Sequence, residues 1–136
     1  MAWSNDPLVL YHGTIERWAQ DILSNGVSIA KCSPATEFAR GFYTTPNRVQ
    51  AGVHANRLYI QELGLFRRGV GHDPANAVVL KFEVDRLWLA QLETLSFVNP
   101  NSDWIAFVDH CRLGGCHIPS QARNYDVVFG PLRGHA

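Results

Sequence analysis

Short apolar and aromatic runs that end in polar residues define the strands predicted for this chain. Residues 8–14 (LVLYHGT) and 41–45 (GFYTT) are two such runs, and each contains a glycine. This pattern is typical of a buried strand whose end forms part of a pocket, with glycine allowing another molecule to approach the backbone. We therefore predict a first strand over residues 8–11, and we identify His12 and Tyr43 as candidate functional side chains.

Hydrophobic spacing predicts the elements along the rest of the chain. Helices are expected at about residues 15–24, 46–63 and around Trp104, strands at 77–84, 92–97 and 125–129, a short helical turn at 85–89, and a loop at 66–74. Strands interleaved with a few helices, without regular βαβ alternation, indicate an α+β fold. We expect one domain over residues 1–136.

The predicted helices have identifiable ends and core faces. Thr14 is placed to cap the first helix and Gly26 to end it, while Pro46 suits the first turn of the second helix and Gly64 its end. Residues at helical spacing predict the buried faces: Ile15, Trp18, Ala19, Ile22 and Leu23 in the first helix, and Val49, Val53, Leu58 and Ile60 in the second.

Composition indicates an ordinary soluble globular protein. Of the 136 residues, 46% are hydrophobic and 18% charged, and twelve basic and twelve acidic side chains cancel. That balance does not predict the basic surface of a nucleic-acid-binding protein. No apolar run approaches the ~20 residues that span a bilayer, and residues 1–7 have no secretion-signal pattern. We expect a cytoplasmic protein, or one delivered into a target cell by a signal-independent route.

The three cysteines indicate a reducing compartment. Cys32, Cys111 and Cys116 are an odd number, which does not form a complete disulfide framework. Residues 110–117 (HCRLGGCH) place four thiol and imidazole groups around a turn, but the usual ligand spacing for zinc is missing. We therefore expect no metal site.

Five short motifs, in order along the chain, carry a resemblance to a known fold. They are residues 11–14 (YHGT), 37–41 (EFARG), 40–45 (RGFYTT), 104–112 (a Trp-x-x-Phe helix ending in arginine) and 125–131 (YDVVFGP). The set resembles the ADP-ribosyltransferase fold, in the His–Tyr–Glu branch shared by diphtheria-type toxins and poly-ADP-ribose polymerases. It is most similar to a group of small bacterial proteins of that fold.

The resemblance implies a split β-sheet core with flanking helices, and an enzyme that uses NAD as substrate. ADP-ribose would pass to a protein or other macromolecular acceptor with release of nicotinamide, as in toxins and effectors. Such a site must stabilise positive charge on the ribose. By resemblance, His12 binds the adenosine ribose, the Gly13 backbone binds the nicotinamide amide, and Tyr43 stacks on the nicotinamide ring. The predicted cofactor-binding set is Tyr11, His12, Gly13, Thr14, Gly41, Phe42, Tyr43, Thr44 and Thr45.

The third residue of the family pattern, a glutamate on a late strand, has no evident counterpart, because no glutamate follows Glu93. Asp126 and Gln121 are the candidates to replace it. Three interpretations stay open. In the first, the protein is an active transferase or NAD glycohydrolase with catalytic His12 and Tyr43 and with Asp126 or Gln121 as the third residue. In the second, a partner chain or a second copy completes its fold. In the third, it is a catalytically silent relative that binds NAD, ADP-ribose or a protein.

Overall fold

The computed structural model describes residues 6–32, 41–121 and 123–131, and it has an α+β fold. Within these ranges, four α-helices and four strands alternate irregularly along the chain, which confirms the predicted fold class. The elements are β1 (Leu8–Ile15), α1 (Glu16–Asn25), α2 (Arg48–Arg67), β2 (Ala77–Val84), α3 (Arg86–Leu89), β3 (Thr94–Ser96), α4 (Ser102–Arg112) and β4 (Val127–Phe129). None of the helices in the described ranges has the length and apolar character needed to cross a membrane.

The chain divides into two compact units. The first contains Met1–Val27 and Tyr43–Arg86, and the second contains Ser28–Phe42 and Leu87–Ala136. The first unit holds the sheet β1–β2 with α1 and α2, while the second holds the sheet β3–β4 with α4. The prediction of a single domain stays a prediction.

In the first unit, β1 and β2 form an antiparallel ladder in which every residue is paired. The register runs from Leu8 opposite Val84 to Ile15 opposite Ala77. The predicted bounds of β2 are confirmed, but the predicted first strand, residues 8–11, is four residues too short. It continues because pairing with β2 satisfies the backbone through residues 12–15. His12 therefore lies inside a strand, and Thr14 is buried in the ladder at 2% exposure.

Helix α1 begins one residue later than predicted and has a smaller buried face. Its N-cap is Ile15, which makes no side-chain cap bond, so the predicted cap at Thr14 is wrong. Ala19 is buried as expected, but Trp18 is 41% exposed. The guanidinium of Arg17 lies over the Trp18 ring, 5.0 Å from its centroid, a cation–π contact that a partly exposed indole can make. Gly26, at φ 79°, follows the helix as predicted.

Helix α2 packs through small residues instead of the predicted large ones. It begins after Asn47 and runs through Gly64 to Arg67, so the predicted end at residue 63 is wrong. Ala51 and Ala55 are buried at 2% and 1% exposure, whereas Val49, Val53 and Ile60 are exposed at 75%, 47% and 68%. The physical reason is the short distance between the α2 backbone and β1 at Gly13, which leaves room only for small side chains at the contact.

The second unit is built on a short ladder and a buried helix face. Strands β3 and β4 pair in parallel over three residues each, so the predicted strands at 92–97 and 125–129 are both too long. Helix α4 buries Trp104, Val108 and Cys111, and the indole Nε1 of Trp104 donates to the carbonyl oxygen of Pro131 at 2.8 Å. A row of ring contacts lies beside it, formed by Phe97, Phe107, His117 and Tyr125.

Candidate functional site

The two predicted strand motifs meet at a backbone bridge in the first unit. The N–H of Tyr11 donates to the carbonyl oxygen of Thr45 at 2.7 Å, and the N–H of Thr45 donates back to Tyr11 at 2.9 Å. The bridge is isolated and antiparallel. It lies on the edge of β1 that faces away from β2, because Tyr11 directs both backbone groups to Thr45.

His12 connects the motifs one residue beyond this bridge. Its Nδ1 lies 2.7 Å from the backbone carbonyl oxygen of Tyr43. A carbonyl oxygen only accepts, so Nδ1 carries the proton in this bond. The side chain of His12 thus meets the backbone of Tyr43, while the Tyr43 residue itself is half-buried.

The electrostatics of His12 favour the neutral ring. Burial lowers the pKa of His12 below its ordinary value of 6.5, and the nearby His54 lowers it further, although the bond to the Tyr43 carbonyl opposes both. A neutral ring that donates through Nδ1 has Nε2 as its hydrogen-bond acceptor. The site therefore offers an imidazole acceptor near pH 7.

Gly13 is the point at which helix α2 lies closest to β1. A Cβ atom built on Gly13 would overlap the carbonyl oxygen of Ala51 and would lie 2.9 Å from the backbone nitrogen of Ala55. Glycine was expected here to admit another molecule. In the structure, glycine at this position instead allows helix α2 of the protein itself to approach the strand.

The backbone N–H and C=O of Gly13 do not point toward helix α2, where its side chain would lie. In an antiparallel strand, successive residues turn their N–H and C=O alternately toward one neighbour and the other. Tyr11 turns both groups toward Thr45. Gly13, two residues along, therefore directs its N–H and C=O to the same edge. If the bridge continued in register, Tyr43 would lie opposite Gly13, but the Tyr43 carbonyl instead accepts from His12.

Thr45 takes part in fixing the start of α2. Its Oγ1 donates to Oε1 of Gln50 at 2.8 Å and accepts from the N–H of Asn47 at 3.1 Å. Asn47 in turn accepts from the N–H of Gln50 through Oδ1 at 3.1 Å, which caps the helix. Of the other predicted threonines, Thr44 is exposed and Thr14 is buried. The Thr45 hydroxyl therefore serves the local fold.

Tyr11 and His12 face opposite sides of the sheet, because side chains alternate along a strand. Tyr11 lines an open cleft of about 240 Å³ together with Arg48, Val79 and Lys81. The members of the predicted cofactor-binding set that lie on β1 are therefore divided between the two faces of the strand. Arg48 and Lys81 were missed by sequence reasoning, because placing them beside Tyr11 requires the β1–β2 register and the start of α2.

The remaining predicted residues lie in the second unit. Gly41 and Phe42 are half-buried, and a Cβ atom on Gly41 would meet nothing within 4 Å. Asp126 accepts from the N–H of Glu93 through Oδ2 at 2.9 Å, and its own N–H donates to the Glu93 carbonyl at 3.0 Å. Gln121 accepts from Nε of Arg123 at 2.6 Å. Asp126 and Gln121 thus each have a local bonding role.

Arginine side chains at helix ends and possible metal ligands are also placed by the structure. Arg67, Arg68 and Arg112 are exposed at or just beyond the ends of their helices, and Arg40 lies outside the described residues. Among the described residues, no group of three or more histidine, cysteine or acidic side chains could hold a metal ion.

The segment at residues 110–117 uses its imidazoles and thiols locally. Nε2 of His110 lies 2.9 Å from the carbonyl oxygen of Cys116, and Nδ1 of His117 accepts from the N–H of Tyr125 at 3.0 Å. Burial raises the pKa of the Cys111 thiol to about 11, so this sulfur is protonated near pH 7. These contacts describe a packed helix end.

Comparison with known proteins gives a family match. Residues 8–134 match the family model described as "Protein of unknown function (DUF3990)", which covers nearly the whole chain. Neither a curated protein nor a solved structure matches the chain.

Proposed function

We propose that this chain, which belongs to the DUF3990 family, is an NAD-dependent mono-ADP-ribosyltransferase. It would transfer ADP-ribose from NAD to a protein or other macromolecular acceptor and release nicotinamide. The observation that supports this proposal is the 2.7 Å bond from His12 Nδ1 to the Tyr43 carbonyl. That bond brings together the two residues which the resemblance to ADP-ribosyltransferases assigns to NAD.

The polar groups at this edge of β1 fit parts of NAD. His12 is held neutral by burial, so its Nε2 can accept a hydrogen bond from a ribose hydroxyl. Gly13 contributes a backbone donor and a backbone acceptor at the same edge, and a carboxamide needs one of each. A site built to hydrogen-bond such groups discriminates strongly against molecules that lack them.

Tyr43 supplies the aromatic part of the proposed site. A half-buried phenol ring provides a flat face for nicotinamide, whose positive ring nitrogen favours stacking on an aromatic surface. The finer fold assignment, a split β-sheet core as in ADP-ribosyltransferases, is part of this proposal. It is supported by the isolated Tyr11–Thr45 bridge, beyond which the two segments do not continue as a ladder.

The test is release of nicotinamide from labelled NAD, together with transfer of label to macromolecules from a cell extract. His12→Ala is expected to reduce turnover by roughly 10- to 100-fold, the effect of losing one or two hydrogen bonds in a desolvated site. His72→Ala is the matched control, because His72 lies on an exposed loop. Tyr43→Ala should lose activity while Tyr43→Phe keeps it, since the ring face carries the proposed role. Equal activity in all four variants would contradict the proposal.

A second candidate function is supported by Asp126. Its carboxylate accepts from the backbone of Glu93, and no glutamate follows Glu93 to act in its place. A catalytically silent relative would bind NAD or ADP-ribose without cleaving it. Calorimetry with both ligands would then give saturable heats in the absence of nicotinamide release. Activity that appears only after mixing with a partner protein would indicate a fold completed by that partner.

A further inference from the structure

We propose that the cleft lined by Tyr11, Arg48, Val79 and Lys81 is a binding site for a phosphate-type oxyanion, separate from the proposed NAD site. The proposal concerns the face of β1 opposite His12. It does not depend on the proposed transferase activity.

The described residues that line the cleft carry only positive charge. Among the residues that the structure describes, Arg48 and Lys81 are its only ionisable side chains besides Tyr11, and no acidic residue lines it. The side chain of Arg48 makes no hydrogen bond or ion pair with any residue that the structure describes. Lys81 lies 3.8 Å from Glu83, but both side chains are more than half exposed. Such a solvated pair contributes little, so two cations in a chain of zero net charge are concentrated at one opening.

The backbone places these donors on one face. Tyr11 lies directly opposite Lys81 in the register of β1 and β2. Because the backbone groups of Tyr11 bond to Thr45, this is a non-hydrogen-bonded pair, in which side chains lie closest together. The phenol hydroxyl and the ammonium group therefore project from adjacent positions on a rigid ladder.

Helix α2 adds to the positive potential. Arg48 is its first residue, and Asn47 and Thr45 fix the start of the helix through side-chain bonds. The aligned peptide dipoles give the beginning of a helix a partial positive charge. The guanidinium of Arg48 thus stands at an anchored helix start that itself favours an anion.

The size of the cleft selects a small ligand. Its volume of about 240 Å³ lies below the roughly 300–1,000 Å³ of pockets that hold drug-sized molecules. A phosphate group, free or as part of a nucleotide, is of suitable size and charge. A guanidinium, an ammonium and a phenol hydroxyl are all donors, and phosphate oxygens are acceptors.

The experiment is a titration of the ¹⁵N-labelled protein with inorganic phosphate at constant ionic strength, with chloride as the reference anion. Saturable amide shifts are expected at Tyr11, Arg48, Val79 and Lys81. The double variant Arg48→Gln/Lys81→Gln should bind roughly 100-fold more weakly, since each lost charged donor weakens binding by about tenfold. Lys81→Arg keeps the charge and should retain binding.

Arg57→Gln is the matched control, because Arg57 is also exposed on α2 but does not line the cleft. It should bind phosphate as the wild type does. His12→Ala should also retain phosphate binding, which separates this proposal from the NAD proposal. If the double variant does not fold, as judged by circular dichroism, the two single variants replace it.

Shifts of the same size in chloride, or unchanged phosphate affinity in the variants that lack a cation, would overturn the proposal. A parallel titration with adenosine monophosphate identifies the carrier. Tighter binding than phosphate supports a nucleotide site, and equal binding supports a site for phosphate itself.

Discussion

Each of the two units of this protein is stabilised internally, and the interactions that do so differ between the two. In the first unit, an eight-residue ladder between β1 and β2 is covered by α2, whose backbone reaches β1 at Gly13. In the second unit, β3 and β4 pair over only three residues each. Bonds between side chains and backbone supplement that short ladder, from Trp104 to Pro131 and from Asp126 to Glu93.

This difference affects where a chemical site can be built. His12 lies on a fully paired strand, so its position is set by backbone pairing and not by its side chain. Asp126 itself makes one of the hydrogen bonds that stabilise the second unit. A residue that supports the fold in this way is less free to act in chemistry.

The largest expected effect is that of Gly13→Ala. Its new methyl group would overlap the backbone of α2 at the carbonyl of Ala51, so the helix backbone itself must shift. Overpacking of this kind destabilises by roughly 3 kcal/mol or more. We expect thermal unfolding, followed by circular dichroism, at a much lower temperature than in the wild type.

The matched control for Gly13→Ala is Gly52→Ala, in helix α2, which contacts β1 at Gly13. Nothing lies within 4 Å of a Cβ atom at Gly52, so alanine should stabilise the helix by about 0.5–1 kcal/mol. Equal behaviour of the two variants would show that the close contact of α2 with β1 is not what holds the first unit.

A smaller loss is expected from Trp104→Phe in the second unit. Trp104 is 4% exposed and donates to the Pro131 carbonyl. Phenylalanine keeps most of the apolar contact but leaves that carbonyl without its donor, which costs about 1–3 kcal/mol. Urea unfolding measures this loss. A variant as stable as the wild type would show that packing alone holds α4.

The sequence predicted element types better than packing. Strand β2 has its predicted bounds, and a helix forms around Trp104 as expected. Helical spacing failed in α2, where it selected Val49 and Ile60 over Ala51 and Ala55. Periodicity identifies the apolar face of a helix, but how closely α2 approaches β1 depends on Gly13, which lies 38 residues before Ala51 in the chain.

For the candidate site, the sequence motifs indicated which two segments carry the site residues but not how these segments contact each other. The segments containing His12 and Tyr43 lie side by side, joined by the bridge at Tyr11. The strand is longer than predicted, and side chains alternate along it. His12 therefore faces one side of the sheet, where it bonds to a backbone carbonyl, and Tyr11 faces the opposite side. Lys81 beside Tyr11 depends on the register of two distant strands, which local patterns do not specify.

Asp126→Ala separates structural from catalytic use of the second unit. Losing the acceptor for the Glu93 N–H should destabilise by about 0.5–1.5 kcal/mol, whereas Asp126→Asn keeps an amide oxygen there and should be closer to the wild type. Nicotinamide release is measured on both. Full activity in Asp126→Asn would exclude the carboxylate charge from the reaction. A large loss in that stable variant would make Asp126 the third catalytic residue.

The smallest effect concerns pH and the burial of His12. Its pKa is lowered by burial and by His54, so below the ordinary value of 6.5 the unfolded chain takes up a proton before the folded protein does. The neutral ring thus gives stability that is fully present above that value and is lost as the pH falls through the lowered pKa. His12→Asn keeps a donor for the Tyr43 carbonyl but cannot titrate. Unfolding free energies measured in urea from pH 5 to pH 8 should therefore rise less steeply with pH in this variant. Parallel curves would mean that His12 is solvated and that β1 does not hold it in the neutral form which the proposed ribose contact requires.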